Sequence, residues 1–262
     1  MMTLPDADFL NMLADAADIE TMARFRTGIV VDAKSASDQI FDPVTDADRA
    51  AERAMRGIIE ESFPHHAIIG EEFGASGEAD EKWVLDPIDG TRPFICGIPT
   101  WGTLIGFMQG ELATHGMLSQ PFTRERYWAT PDGAWGETDG RRIPLQTRPT
   151  KVLHEAILHT TSPDYFSDVA KVGFDRLAQA VRMTRYGGEC YAAAMLAAGY
   201  IDLNYEPDVE PHDVVALIPI IERSGGVIST LSGGRAESGG AILASANPWL
   251  HQQALGFLNP PH

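Results

Sequence analysis

Residues 83–91 read Trp-Val-Leu-Asp-Pro-Ile-Asp-Gly-Thr, an apolar run that stops at two carboxylates three positions apart, Asp86 and Asp89, followed by Gly90 and Thr91. Negative charge at the end of a buried strand is costly unless a cation shares the place, so the segment predicts a site for hard divalent metals. Three further acidic groups stand beside apolar segments: Asp46 with Asp48, Glu71 with Glu72, and Asp213. Singly, each has an ordinary explanation, because helix first turns favour Asp and surface loops favour acids. Glu71 and Asp86 follow apolar runs, however, and Asp213 precedes one, so strand ends and a helix start can bring them onto one oxygen-only metal site.

The elements that must position these residues can be read from periodicity. Phe9, Met12, Leu13, Ala16 and Ile19 recur at helical spacing, which predicts a long amphipathic helix over about 5–27 with Pro5 in its first turn. After a polar loop containing Lys34 and Ser35, Thr45 or Asp46 caps a second helix that ends at Pro64. Ala67–Ile69 and Trp83–Leu85 read as buried strands that deliver acids at their ends. Runs 103–108, 113–118 and 126–129 read as an antiparallel meander, and the polar stretch 136–149 as a boundary between lobes 1–145 and 146–262. In the second lobe, strand-like runs at 156–159, 181–184, 201–205, 227–229 and 242–244 alternate with helix-like segments, including 191–198 and 214–223. That alternation predicts layered α/β packing.

The bulk numbers exclude several classes. With 262 residues, 44% of them hydrophobic, the chain can bury a sizeable core. A formal charge of -17 repels phosphate backbones, so nucleic acid is not an expected partner. Cys96 and Cys190 lie far apart without metal-ligand spacing, which indicates neither a disulfide framework nor a zinc site. The acidic N-terminus and the absence of any apolar run near 20 residues point to a cytoplasmic protein without a membrane partner.

Gly70-Glu71-Glu72, then Asp86-Pro87-Ile88-Asp89-Gly90-Thr91, then Asp213 before an apolar helix closed by Gly225 and Gly226, resembles the inositol monophosphatase family of magnesium-dependent phosphatases. The match runs from about Asp48 to Ser229. The resemblance implies an α-β-α-β-α layered fold and a homodimer. It also implies two to three Mg²⁺ ions, the first on Glu71, Asp86 and the Ile88 carbonyl, the second on Asp86, Asp89 and Asp213, with Glu71 supporting a weaker third. Thr91, hydrogen-bonded to Asp48, and Glu71 would activate a water. Oxygen-only ligands suit Mg²⁺, and the Gly90 and Thr91 amides suit a phosphate.

Within the family, residues 94–106 and Arg185-Tyr186-Gly187-Gly188-Glu189-Cys190-Tyr191 look most like the histidinol-phosphatase branch, which usually carries Asp in place of Glu189. An acid there would favour a substrate bearing an ammonium group. The resemblance further implies contact of Glu206 with the alcohol portion of the substrate, and it adds Arg185 to the substrate residues. The expected activity is hydrolysis of L-histidinol phosphate, a small phosphate monoester, in histidine biosynthesis. The alternatives are inositol 1-phosphate, nucleotide 3′-phosphates, sugar phosphates including fructose 1,6-bisphosphate, or a binding scaffold of the same superfamily. His212 adjoins Asp213 and is the one histidine placed to reach a bound imidazole; the others read as structural or surface.

Overall fold

A computed structural model describes residues 4–28, 31–33 and 43–259. Helix α1 (Ala7–Met22) starts at Asp6, whose carboxylate accepts from the Phe9 N–H at 2.9 Å. It is shorter than its periodicity predicts. The chain leaves it through turns at 23–26, where Arg26 takes φ +60° and donates to the Gly97 carbonyl. Strands β1 (Val31–Ala33) and β2 (Pro43–Thr45) pair antiparallel, and the expected Lys34–Ser35 loop lies outside the described residues. Helix α2 (Asp46–Ser62) is capped by Thr45 in a reciprocal capping box with Asp48.

The first sheet contains β3 (Ala67–Gly70), β4 (Gly74–Ser76), β5 (Glu81–Asp89), β6 (Gly102–Gln109), β7 (Leu112–Gln120), β8 (Glu125–Thr130), β9 (Gly133–Thr138) and β10 (Arg141–Pro144). A five-residue helix, α3 (Thr91–Ile95), separates β5 from β6. The strand order is β10-β9-β8-β7-β6-β5-β3-β4, with only β3 and β5 parallel. The meander is therefore two strands longer than the apolar runs suggest. Asp139 and Gly140, both at positive φ, make the two-residue turn that folds 133–144 into a hairpin, so this part of the supposed polar boundary is an edge of the first sheet.

The second sheet is built from β11 (Ile157–Thr160), β12 (Met183–Tyr186), β13 (Leu203–Val209), β14 (Val227–Thr230) and β15 (Gly240–Ser245), in the order β12-β11-β13-β15-β14. Between and after these strands run α4 (Asp168–Ala180), α5 (Glu189–Ala197), α6 (Pro211–Val214), α7 (Leu217–Arg223) and α8 (Pro248–Leu258). The single helix expected over 214–223 is interrupted before Leu217. Pro219 has no N–H to offer the Val215 carbonyl, which breaks the ladder at that turn.

Three apolar clusters fix the layers. Leu10, Leu13, Met55 and Ile59 of α1 and α2 pack on Trp83, Ile105 and Phe107 of the first sheet. On the other face of that sheet, Leu104 and Leu118 meet α5 and α7, which also cover Ile228, Ile242 and Ala244 of the second sheet. Phe174 and Leu177 of α4 and Leu250 and Ala254 of α8 close the far side. The result is the α-β-α-β-α sandwich. The strands of the two sheets come from either side of residue 145, and the central cluster draws on both.

Candidate active site

Strand β5 does not stop at Asp86. It continues to Asp89 through a break in register with β6, and this irregularity turns both carboxylates to one place. Asp86 is 1% exposed, and its Oδ1 accepts from the Ile88 N–H at 3.0 Å. Asp89 Oδ2 accepts from the Cys190 N–H at 2.7 Å, which ties β5 to the first turn of α5. Asp213 comes from α6, just after β13 of the second sheet, and is held by the Glu210 N–H at 2.7 Å.

Glu71 follows parallel β3, and its position depends on a residue the sequence reading passed over. Glu52 on α2 is fully buried, is salt-bridged to Arg56 at 2.7 Å, and accepts from the Glu72 and Phe73 N–H groups at 2.7 and 3.3 Å. It catches the turn after β3. Gly70 allows this approach: a Cβ there would lie 1.9 Å from Glu52 Oε1. An acid four residues before an arginine on one helix was the available signal, and on a surface helix it would mean only an ordinary ion pair.

The four acids and His212 form two sets whose ligand atoms lie within 4.8 Å of one another: Glu71, Asp86 and His212, and Asp86, Asp89 and Asp213. His212 Nε2 stands 3.9 Å from Glu71 Oε1 and 3.6 Å from Asp213 Oδ1. Burial, with the charges of Glu71, Asp89 and Asp213, holds the Asp86 carboxyl well above the usual range. Burial with Asp213 and Glu189 does the same at Asp89. At Asp213 burial raises the pKa, while His212 and the Glu210 N–H oppose it. A set of carboxylates that resists ionisation is short of positive charge. Hard oxygen donors of this kind fit Mg²⁺, and Glu71, Asp86, Asp89 and Asp213 are the carboxylates the two sets offer.

These groups open onto a cavity of about 280 Å³ that also touches Gly90, Thr91, Arg92, Glu189, Cys190 and Glu206. Gly90 sits at φ +86°, and a Cβ on it would come within 2.9 Å of Glu189 Cγ. Glu189 itself takes φ +46°, a left-handed conformation uncommon for a residue with a side chain, and this backbone presents its carboxylate beside Gly90. Burial raises its pKa against the Thr161 hydrogen bond and Arg92. Glu206 is pushed up to about 8 by burial, although its oxygens accept from the Thr161 N–H at 3.0 and 3.2 Å. Arg92 stacks on the Tyr165 ring at 5.1 Å, and both line the cavity.

Two expected features are arranged differently. The Thr91 hydroxyl donates to the Ile88 carbonyl at 3.2 Å rather than to Asp48. Asp48 is fully buried and does not line the cavity; its Oδ2 serves the capping box, accepting from the Thr45 N–H and hydroxyl at 2.8 and 2.5 Å. Its Oδ1 has no hydrogen-bond partner among the described residues, and burial lifts its pKa to about 6. Arg185 is exposed on the edge strand β12 and is absent from the cavity wall, because the chain turns back into the site only at Gly187 and Gly188. Arg92, one residue beyond the Asp-Gly-Thr string, is the arginine that lines it.

A layered fold closing on clustered oxygen ligands beside an open cavity defines the class of metal-dependent phosphatases. A sequence model described as the inositol monophosphatase family matches residues 7–258, and the chain belongs to that family. It is 40% identical, over 95% of its length and 73% of the relative's, to the bifunctional phosphatase IMPL2, chloroplastic, of Arabidopsis thaliana. It is 34% identical to the histidinol-phosphatase of Streptomyces coelicolor, covering 98% of this chain and 97% of the other. Among solved structures, an inositol monophosphatase from Zymomonas mobilis superposes with a TM-score of 0.84 at 35% identity over 96% of both chains. No helix among the described residues is long and apolar enough to cross a membrane.

Proposed function

We propose that the protein is a Mg²⁺-dependent phosphomonoesterase that hydrolyses L-histidinol phosphate to L-histidinol and phosphate, as a cytoplasmic homodimer serving histidine biosynthesis. The observation that carries the reading is Glu189, an acid on the cavity wall beside Gly90, where a substrate ammonium would gain a charge-assisted hydrogen bond that inositol cannot supply. Similarity to proteins named histidinol-phosphatase over nearly the whole chain supports it.

Glu71, Asp86 and the Ile88 carbonyl would hold one Mg²⁺, and Asp86, Asp89 and Asp213 a second. Bound there, the metal supplies neutralisation of the phosphoryl oxygens, a more acidic water and a stabilised leaving oxygen. The chain's own groups do the rest. The Gly90 and Thr91 amides at the start of α3 orient the phosphate, and Arg92 faces it from the wall. Glu71, assisted by the Thr91 hydroxyl, accepts the proton of the attacking water as the phosphorus–oxygen ester bond breaks. Glu189 and Glu206 receive the cationic alcohol.

Phosphate release with Mg²⁺, and with EDTA as control, from L-histidinol phosphate and myo-inositol 1-phosphate tests this reading. A preference near 100-fold in kcat/KM, equal to about 2.7 kcal/mol of transition-state binding, is expected for the amine. Comparable or reversed rates would transfer the function to inositol or broad-specificity phosphatase activity. No metal-dependent release from either would favour another ester or a scaffold.

A further inference from the structure

The cavity that holds the carboxylates does not end at them. The same space is lined by Ala193, Leu217, Ile221, Ile228, Ile242 and Ala244, none more than 7% exposed and none with a polar side-chain atom. The strand registers show how it runs. Glu206 on β13 is paired with Ile242 on β15, which is paired with Thr230 on β14; one step along, Asn204 is paired with Ala244 and then with Ile228. Cross-strand partners share a face, so the sheet surface that lines the cavity changes from carboxylate and amide at Glu206 and Asn204 on β13 to aliphatic at Ile242 and Ala244 on β15 and Ile228 on β14 within two strand spacings, about 10 Å. Leu217 and Ile221, one helical turn apart on α7, and Ala193 on α5 form the opposite wall.

Protein interiors are close-packed, and space bounded by small and branched aliphatic side chains offers nothing to hold ordered water. Glu206 and Asn204 end the polar part, and two of the lining residues beyond them are alanines, which leave room that larger side chains would fill. We propose that this inner annex is a binding site for a small apolar group, lying between α5, α7 and the β14–β15 face, next to the phosphate-ester site but chemically separate from it. The apolar group arrives either as a free molecule or as the tail of a phosphate ester whose head lies at the carboxylates. The annex exists independently of which ester the enzyme prefers.

The test uses the full chain. Benzene titrated against the wild-type protein should raise its Tm saturably, by about 2 °C at a few millimolar, and pressurised xenon should bind with saturation in ¹²⁹Xe NMR. Ala193→Leu and Ala244→Val each fill the annex, so both should melt no lower than wild type and lose at least three-quarters of the benzene shift. The source of the apolar group is read from 2-phenylethyl phosphate against glycerol 2-phosphate: a tenfold lower KM for the aryl ester in wild type, lost in the filled variants, identifies an ester tail. Equal KM values with benzene binding retained identify a free ligand. The proposal is overturned if wild type binds neither benzene nor xenon, if the filled variants keep the full shift, or if both unfold well below wild type, since crowding would mean that no space existed.

Discussion

Replacing Asp86 by Asn should make the metal-free protein more stable while removing its response to Mg²⁺. Asp86 belongs to both acid sets, and its oxygens lie within 4.8 Å of those of its neighbours. At an effective dielectric near 20, a pair of unit charges at that distance repels by about 3 kcal/mol. Asn keeps the Oδ1 that accepts from the Ile88 N–H at 3.0 Å, so the turn is preserved while the charge is lost. Protonation of neighbouring acids caps the total, leaving roughly one pair's repulsion to be relieved at pH 8. For a chain of this size that is about 5 to 6 °C in Tm. The sign of the pH dependence follows from the raised carboxyl pKa values. Acids whose folded pKa exceeds the unfolded value of about 4 favour folding when protonated, and they lose that contribution as pH rises through the folded value. The gap between variant and wild type should therefore be widest near pH 8 and close towards pH 4. Differential scanning fluorimetry in EDTA and in 10 mM Mg²⁺, repeated across pH, measures it, alongside turnover, which the variant should lack. A variant less stable than wild type in EDTA at pH 8, or one still stabilised by Mg²⁺, would refute the idea that these acids repel one another and share a metal.

Glu189→Ala should raise KM for an amine-bearing ester by tenfold or more and leave KM for inositol 1-phosphate within about twofold, the difference expected from one charge-assisted hydrogen bond; equal effects in steady-state assays would dispose of the ammonium contact. Gly70→Ala drives a methyl into the Glu52 carboxylate, so the Glu72 and Phe73 amides lose their acceptor and Glu71 its position. Urea unfolding should show a loss of about 2 to 4 kcal/mol, with kcat falling at least tenfold. Thr91→Ala should retain metal-induced stabilisation and lose rate, which a thermal shift measured beside an activity assay separates. His251 is 3% exposed between the Ser229 and Ser245 hydroxyls, and burial lowers its pKa to about 4. Its contribution is complete above pH 6.5 and is lost as pH falls from 6.5 towards 4. His251→Asn should therefore be less damaging at pH 5 than at pH 7, by about 2 kcal/mol in chemical denaturation.

Much of the layered fold was legible because its elements carry one-sided apolar patterns. The α2 cap at Thr45 and the buried runs of β3 and β5 stand where their periodicity places them, and each strand of the second sheet overlaps the apolar run expected for it, with β12 and β13 starting two residues later. The hairpin 133–144 was missed because its strands are short and polar, although Asp139-Gly140 carried the turn signal. Arg185 and Arg92 illustrate the opposite error: charge type and nearness to a motif do not say which way a strand residue faces.

The sequence by itself determined which residue types were available for chemistry. Carboxylates placed after buried strands and before a buried helix need a cation, and that requirement follows from desolvation whatever the fold. Tertiary structure decided which of those acids meet. Asp213 joins Asp86 and Asp89 from more than a hundred residues away, Glu52 reaches across from α2 to hold the turn bearing Glu71, and Glu189 turns over Gly90 through a left-handed backbone. Local sequence fixes the direction of a side chain from its own element, whereas convergence depends on how layers pack, and packing is a property of surfaces assembled from residues far apart in the chain.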